Sequence, residues 1–236
     1  DLAVQELEKG NVVAMPTETV YGLAASIDNH EGLKKIFSTK QRPFFDPLIV
    51  HVCSKDMARN LTTDWSPLVD FLAEHFWPGP LTMVLPKSTA VDSLITSGLE
   101  TVGIRMPSHS VALSLIEKLG RPVAAPSANR FGKTSPTTAE HVKSEFPNES
   151  FLILDGGASL IGIESTVLLV KHFNNEYELS ILREGHVSRT ELEQSLKNKK
   201  WSFSFIDTVS KKESPGHMKH HYMPSMPLLL PEIRVT

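Results

Sequence analysis

Short apolar runs separated by amphipathic stretches constrain this chain more than any other feature. They are Val12 to Met15, Leu48 to Cys53, Leu81 to Leu85, Thr101 to Met106, Pro122 to Ala125, Phe151 to Leu154, Ser165 to Val170 and Glu178 to Leu182. Runs this short and this rich in Val, Ile and Leu read as strands buried on both faces. Between them the helices announce their starts. Ser66-Pro67 and Ser135-Pro136 each place a capping hydroxyl before a proline suited to a first helical turn, and Ser188 with Glu191 forms a capping box. Gly120 can close a helix that begins near Ser108, and Leu23-Ala24-Ala25 is expected to open one. The loops are uneven and several strands lack a helix between them. A mixed sheet is therefore expected rather than a uniform βαβ array.

The chain has 236 residues, enough for one large domain, or one domain plus an appendage. The regular pattern weakens after about Lys200, so a domain over 1–200 and an extended linker over 201–236 are expected. A net charge of −3 shows no broad basic field, which removes nucleic acid as the default partner. The single cysteine, Cys53, rules out an internal disulfide and a cysteine-rich zinc site, and fits a reducing compartment such as the cytoplasm. No apolar stretch approaches membrane-spanning length.

Polar residues gather where the strands end. Pro16-Thr17-Glu18-Thr19-Val20-Tyr21-Gly22-Leu23 crowds hydroxyls and a carboxylate at a strand exit, where open sheets place their ligands. A plain turn would more often use Gly, Asn or Asp, although Thr19 as a simple cap is the bland alternative. Lys40 and Arg42 close a helix, a position that the macrodipole explains and that phosphate binding explains equally. Ser127 and Asn129 follow a strand among small residues that let backbone approach a ligand. Ser135 is expected at a helix N-terminus, a natural anion site, or as nothing more than a cap. Arg105 lies inside an apolar strand and needs an anionic partner, either an internal carboxylate or a bound one. Ser165 at a strand start and Arg183 at a strand end repeat the theme. His51, alone on an apolar strand, reads by itself as a core histidine. Phosphate-loop, dinucleotide and paired-histidine zinc signatures are absent from the sequence. The histidines His217, His220 and His221 lie in the linker without an acidic surround and make a poor metal site.

In order along the chain, Pro16 to Leu23, Lys40-x-Arg42-Pro43, Pro47 to His51, Trp77-Pro78-Gly79-Pro80-Leu81-Thr82, Gly103 to Pro107, Pro126-Ser127-Ala128-Asn129 and Glu164 to Val167 form a set. The set resembles that of the YrdC-like threonylcarbamoyl-AMP synthases, over about residues 1 to 200. The resemblance implies an α/β (α+β) fold, a twisted mixed sheet flanked by helices with a central concave cleft. It implies a nucleotidyltransferase that joins L-threonine, bicarbonate and ATP into threonylcarbamoyl-adenylate and pyrophosphate, with magnesium. A separate transferase would then modify tRNA. Thr19, His51, Arg105 and Ser165 are implied to hold threonine. Lys40, Arg42, Thr101, Ser127, Asn129, Ser135 and Arg183 are implied to hold the nucleotide, with Tyr222 closing from the linker. Lys40 and Arg42 are also implied to stabilise charge on the leaving group. The stretch from Ser214 to Pro224 resembles the linker of the longer, two-domain form, whose second domain is expected to be absent here. Asp46 stands where many family members carry Asn, and a carboxylate near phosphates repels them unless a metal or an arginine engages it. Two other readings compete. One is a carbamoyltransferase domain of the hydrogenase-maturation type, although one cysteine leaves no zinc-finger segment in this chain. The other is a tRNA or double-stranded RNA module, for which the −3 balance makes contact weak at best.

Overall fold

A computed structural model describes residues 2–174, 176–197 and 199–206. The elements run α1 (Leu2–Glu8), β1 (Val13–Met15), β2 (Gly22–Ser26), α2 (His30–Lys40), β3 (Ile49–His51), α3 (Lys55–Arg59), α4 (Pro67–Phe76), β4 (Leu81–Pro86) and α5 (Ser93–Thr96). They continue with β5 (Thr101–Arg105), α6 (Ser110–Leu119), β6 (Val123–Ala124), α7 (Ala139–Glu145), β7 (Leu152–Ile153), β8 (Thr166–Phe173), β9 (Glu176–Arg183), α8 (Arg189–Leu196) and β10 (Ser202–Phe205). Among the described residues the strands form one mixed sheet in the order β10-β9-β8-β4-β5-β3-β6-β2-β1-β7. Pairs β3–β5 and β4–β8 are parallel, whereas β4–β5, β3–β6 and β8–β9 are antiparallel. The expected mixed α/β sheet with flanking helices is therefore present.

Strand alternation decides which side chains meet the core and which meet the cleft. Val50, Ile104, Met83, Leu81, Leu168 and Val170 enter the main hydrophobic core. Their neighbours point the other way. Ile49, Val84, Val167, Leu169 and Leu182 make a small separate cluster. His51 and Arg105 are register partners in β3 and β5, as are Ile49 and Gly103. At the other end of the sheet this face is filled by Ala3, Leu7, Ala112, Leu115, Ile116 and Leu119 from α1 and α6.

Three local expectations are corrected. Leu23-Ala24-Ala25 does not open a helix; it belongs to β2, which pairs antiparallel with both β1 and β6. The residues are small because the packing there is close. A Cβ on Gly22 would lie 3.2 Å from that of Ala125, and one on Gly32 3.3 Å from that of Ala25. Ser135 does not cap a helix, because Thr138 caps α7 instead. The Tyr21 amide donates to the Pro136 carbonyl at 2.8 Å, a tertiary bond that holds residue 136 outside the helix. The sheet also runs past residue 200. β10 lies parallel to β9, and Phe203 and Phe205 pack against the main core. Other signals are realised: Ser66 caps α4 with Pro67 in its first turn, Gly120 ends α6 at φ 69°, and the Ser188–Glu191 capping box opens α8.

Candidate active site

The turn between β1 and β2 carries the first group of site residues. The Thr17 hydroxyl donates to the Val20 carbonyl at 2.6 Å and lies 2.9 Å from the Thr19 hydroxyl. The turn is stitched to the segment after β6: the Leu23 amide donates to the Pro126 carbonyl and the Ala128 amide to the Tyr21 carbonyl. A second loop closes on it, where the Ile161 and Gly162 amides donate to the carbonyls of Glu18 and Thr19. Tyr21 helps pin that loop through a hydroxyl that donates to the Gly157 carbonyl at 2.7 Å.

These segments border a cleft, open to solvent, that is lined by Thr17, Thr19, Val20, Gly22, Arg42, Pro47, Ile49, His51, Arg105, Ala125, Pro126, Ser127, Glu164, Ser165 and Arg183. Of the residues singled out in the sequence, Thr19, Arg42, His51, Arg105, Ser127, Ser165 and Arg183 line it together. Thr101 lines a narrow neighbouring crevice that shares Pro47 and Ile49 with the cleft. Lys40 and Asn129 lie behind the wall. Lys40 is 1% exposed and its Nζ donates to the carbonyls of Ser127 and, at 2.5 Å, Asn129. Asn129 is buried and its amide nitrogen donates to the Arg130 and Lys133 carbonyls. Ser135 does not line the cleft either, but its hydroxyl donates to Glu164 Oε1 at 2.9 Å. Tyr222 and the 207–236 part of the linker lie outside the described residues.

Each arginine of the cleft has a carboxylate. Arg42 Nη2 lies 2.8 Å from Asp46 Oδ2, and its Nε and Nη2 donate to the Asp46 and Pro47 carbonyls. Asp46 is thus turned onto an arginine, the arrangement that relieves its conflict with phosphates. Arg105 Nη2 lies 2.6 Å from Glu18 Oε1, its Nη1 donates to the Thr19 hydroxyl at 2.9 Å, and its Nε donates to the Gly79 carbonyl at 3.2 Å. The internal partner expected for Arg105 exists, yet the guanidinium still lines the cleft. Arg183 pairs with Glu164 and donates to the Ser165 carbonyl and hydroxyl. A β-bulge in the β8–β9 pairing at Val167/Leu168 re-aims this strand end.

Burial sets the protonation states. It pulls the Lys40 ammonium down to about 7, with the nearby Arg42 charge adding to the effect. It pushes His51 down to about 3, again reinforced by a cation, Arg105. His51 is therefore neutral near pH 7. Its Nδ1 sits 3.3 Å from the Ile49 carbonyl, which can only accept, so Nε2 remains as an acceptor. Burial also lowers Arg105, and Glu18 opposes that shift.

Sequence reading did not assign Glu18, Glu164 or Thr82. All three stand inside quoted motifs, and the signal available was a carboxylate or hydroxyl beside each chosen residue. The Trp77–Thr82 motif turns out to brace the site: Gly79 accepts from Arg105, and the Thr82 hydroxyl lies 2.8 Å from that of Ser165. A side chain on Gly79 would collide with the Phe76 carbonyl.

The fold and its cleft define an α/β domain with a polar cleft lined by three arginines, beside a narrow crevice. The chain belongs to the Sua5/YciO/YrdC family, whose sequence model, described as "Telomere recombination", matches residues 5–185. It is 41% identical over 232 residues to the threonylcarbamoyl-AMP synthase of Pyrococcus abyssi, covering 98% of this chain and 67% of that relative. It is 42% identical over 227 residues to the protein of the same name from Bacillus subtilis, covering 96% and 64%. The crystal structure of P. abyssi Sua5 complexed with L-threonine superposes with a TM-score of 0.83 at 41% identity, covering 95% of this chain and 65% of that one. The chain thus spans about two thirds of the length of these relatives. Among the described residues no helix is long and apolar enough to cross a membrane.

Proposed function

We propose that this chain is an L-threonylcarbamoyladenylate synthase, a nucleotidyltransferase acting on L-threonine, bicarbonate and ATP. The observation that carries the reading is the convergence of Thr19, Arg42, His51, Arg105, Ser127, Ser165 and Arg183, from seven separate segments, on one cleft. The names of the relatives and the threonine complex of the P. abyssi protein support it.

In this reading Arg105 and Thr19 take the threonine carboxylate, and Ser165 and His51 Nε2 take its remaining polar groups. The nucleotide extends from Arg42, Ser127 and Arg183 toward Thr101. Along β5, Thr101 lies four residues from Arg105 on the same face, about 13 Å away at the usual strand rise. That span is comparable to the length of an adenylate laid along the strand from the reacting end. The buried Asn129 Oδ1 has no hydrogen-bond partner among the described residues and offers an acceptor nearby. Lys40, whose amine titrates near 7, adds charge in its protonated form from behind the Ser127–Asn129 backbone.

The reaction begins when the threonine ammonium loses a proton and its nitrogen lone pair attacks the carbon of bicarbonate. An N–C bond forms and water leaves, giving a carbamate. A carbamate oxygen then attacks the α-phosphorus, the bond to the bridging oxygen breaks, and pyrophosphate departs with the electron pair. Arg42 is placed to offset the charge that grows there, with Lys40 behind it. Magnesium fits as an ion carried on the triphosphate, since the carboxylates near the cleft are engaged by arginines and Glu164 is the one that lines it. When bound it would neutralise phosphate charge. The labile carbamate and adenylate call for a cleft kept from water during turnover. A separate transferase would pass the threonylcarbamoyl group to tRNA, and the cytoplasm is the compartment where both would meet.

Pyrophosphate release is the test. It should require threonine and bicarbonate together. ATP turnover that ignores threonine would overturn the assignment.

A further inference from the structure

Glu18 is buried to 4% exposure and does not line the cleft, yet it touches the residue that matters most there. Oε1 lies 2.6 Å from Arg105 Nη2, and Oε2 accepts from the Ser108 amide at 3.1 Å. The carboxylate therefore bridges the β1–β2 turn and the segment that follows β5, and it grips the guanidinium from behind. Thr19 and the Gly79 carbonyl hold two other edges of the same group. A buried arginine left without a counter-ion would be costly, so Glu18 keeps Arg105 in place when the cleft is empty. The pairing has a second effect. The end of the cleft formed by Thr19, His51 and Arg105 contains one cation, one carboxylate just behind it and a neutral imidazole. Its formal charge is zero.

We propose that Glu18 is a positioning and specificity residue, which pre-neutralises Arg105 so that this end of the cleft takes a ligand carrying its own positive charge in preference to a simple carboxylate. The inference rests on the reading above, in which this end holds an amino acid. A bare anion meets an arginine whose field is already largely cancelled. A zwitterion gains on both counts: its carboxylate reaches the remaining guanidinium N–H groups, and its ammonium feels the negative charge behind them. At separations of several ångströms in a poorly solvated site, one unit of charge changes binding by about tenfold or more.

Calorimetry on the whole chain tests this with L-threonine and (R)-3-hydroxybutanoate, which is threonine without the amine. Threonine should bind the unaltered chain at least about tenfold more tightly. Glu18→Gln, nearly isosteric and still able to accept from Ser108, should cut that preference by about tenfold or reverse it, through tighter binding of the hydroxybutanoate. Glu18→Asp should retain the preference while weakening both ligands. Threonine binding with an unchanged ratio in Glu18→Gln overturns the proposal alone. Equal binding of the two ligands by the unaltered chain also overturns it, whatever the variants do. Absence of threonine binding by the unaltered chain overturns the functional reading and this inference with it.

Discussion

Lys40 shows what a single residue does when a helix end is turned inward. At the C-terminus of α2 a lysine normally stays in water and complements the helix dipole. Here Gln41 adopts a left-handed conformation at φ 53°, the chain turns, and the Lys40 amine is buried against two carbonyls. The sequence placed a lysine at the right end of the right helix, but its orientation depends on where the Ser127–Asn129 segment comes to rest, which no local pattern encodes. The pH consequence has a definite sign. The amine titrates near 7 when folded, against an ordinary value of 10.5. Between those values the unfolded chain holds a proton that the folded chain lacks, so stability rises with pH across that window. Urea unfolding should show this rise, on the order of a few kcal/mol at most, and Lys40→Met should flatten it. Parallel curves for the two proteins would mean that the amine keeps its charge on folding.

At the scale of elements, the strands were legible wherever Val and Ile supplied the pattern and obscure where they did not. β3, β4, β5, β8 and β9 fall within or around the expected runs. β2 was missed because Gly22-Leu23-Ala24-Ala25 has helix-prone alanines and no β-branched residue. Its strand state comes from close packing between β1 and β6. The polar clusters were legible for a different reason: hydroxyls and arginines at strand ends stand out from an apolar background. Their pairings were not, because Arg105 meets Glu18 only once β5 is docked beside the β1–β2 turn. The Trp77–Thr82 segment is the clearest case of a motif whose role needed the fold. Thr82 points to the cleft side of β4 and shares a hydrogen bond with Ser165. Thr82→Val keeps the shape and removes that bond, at a stability cost of about 1 kcal/mol. We expect the KM for threonine to rise by about three- to tenfold with kcat within about twofold, as for lost ground-state binding. A fall in kcat alone, seen in steady-state assays, would assign the hydroxyl pair to the chemical step instead.

For the whole molecule, the most telling feature is that Arg42, Arg105 and Arg183 are each matched by Asp46, Glu18 and Glu164. Three cations without such partners, gathered in one concavity, would project a field that draws in any passing polyphosphate or nucleic acid, and capture would slow sharply with added salt. A hollow whose charges are settled in-house attracts little from afar. Nucleotide capture should therefore proceed at a rate that stopped-flow mixing finds nearly constant between low and physiological salt. Discrimination then begins at contact, when a ligand offers those guanidiniums something better shaped than the carboxylates they already hold.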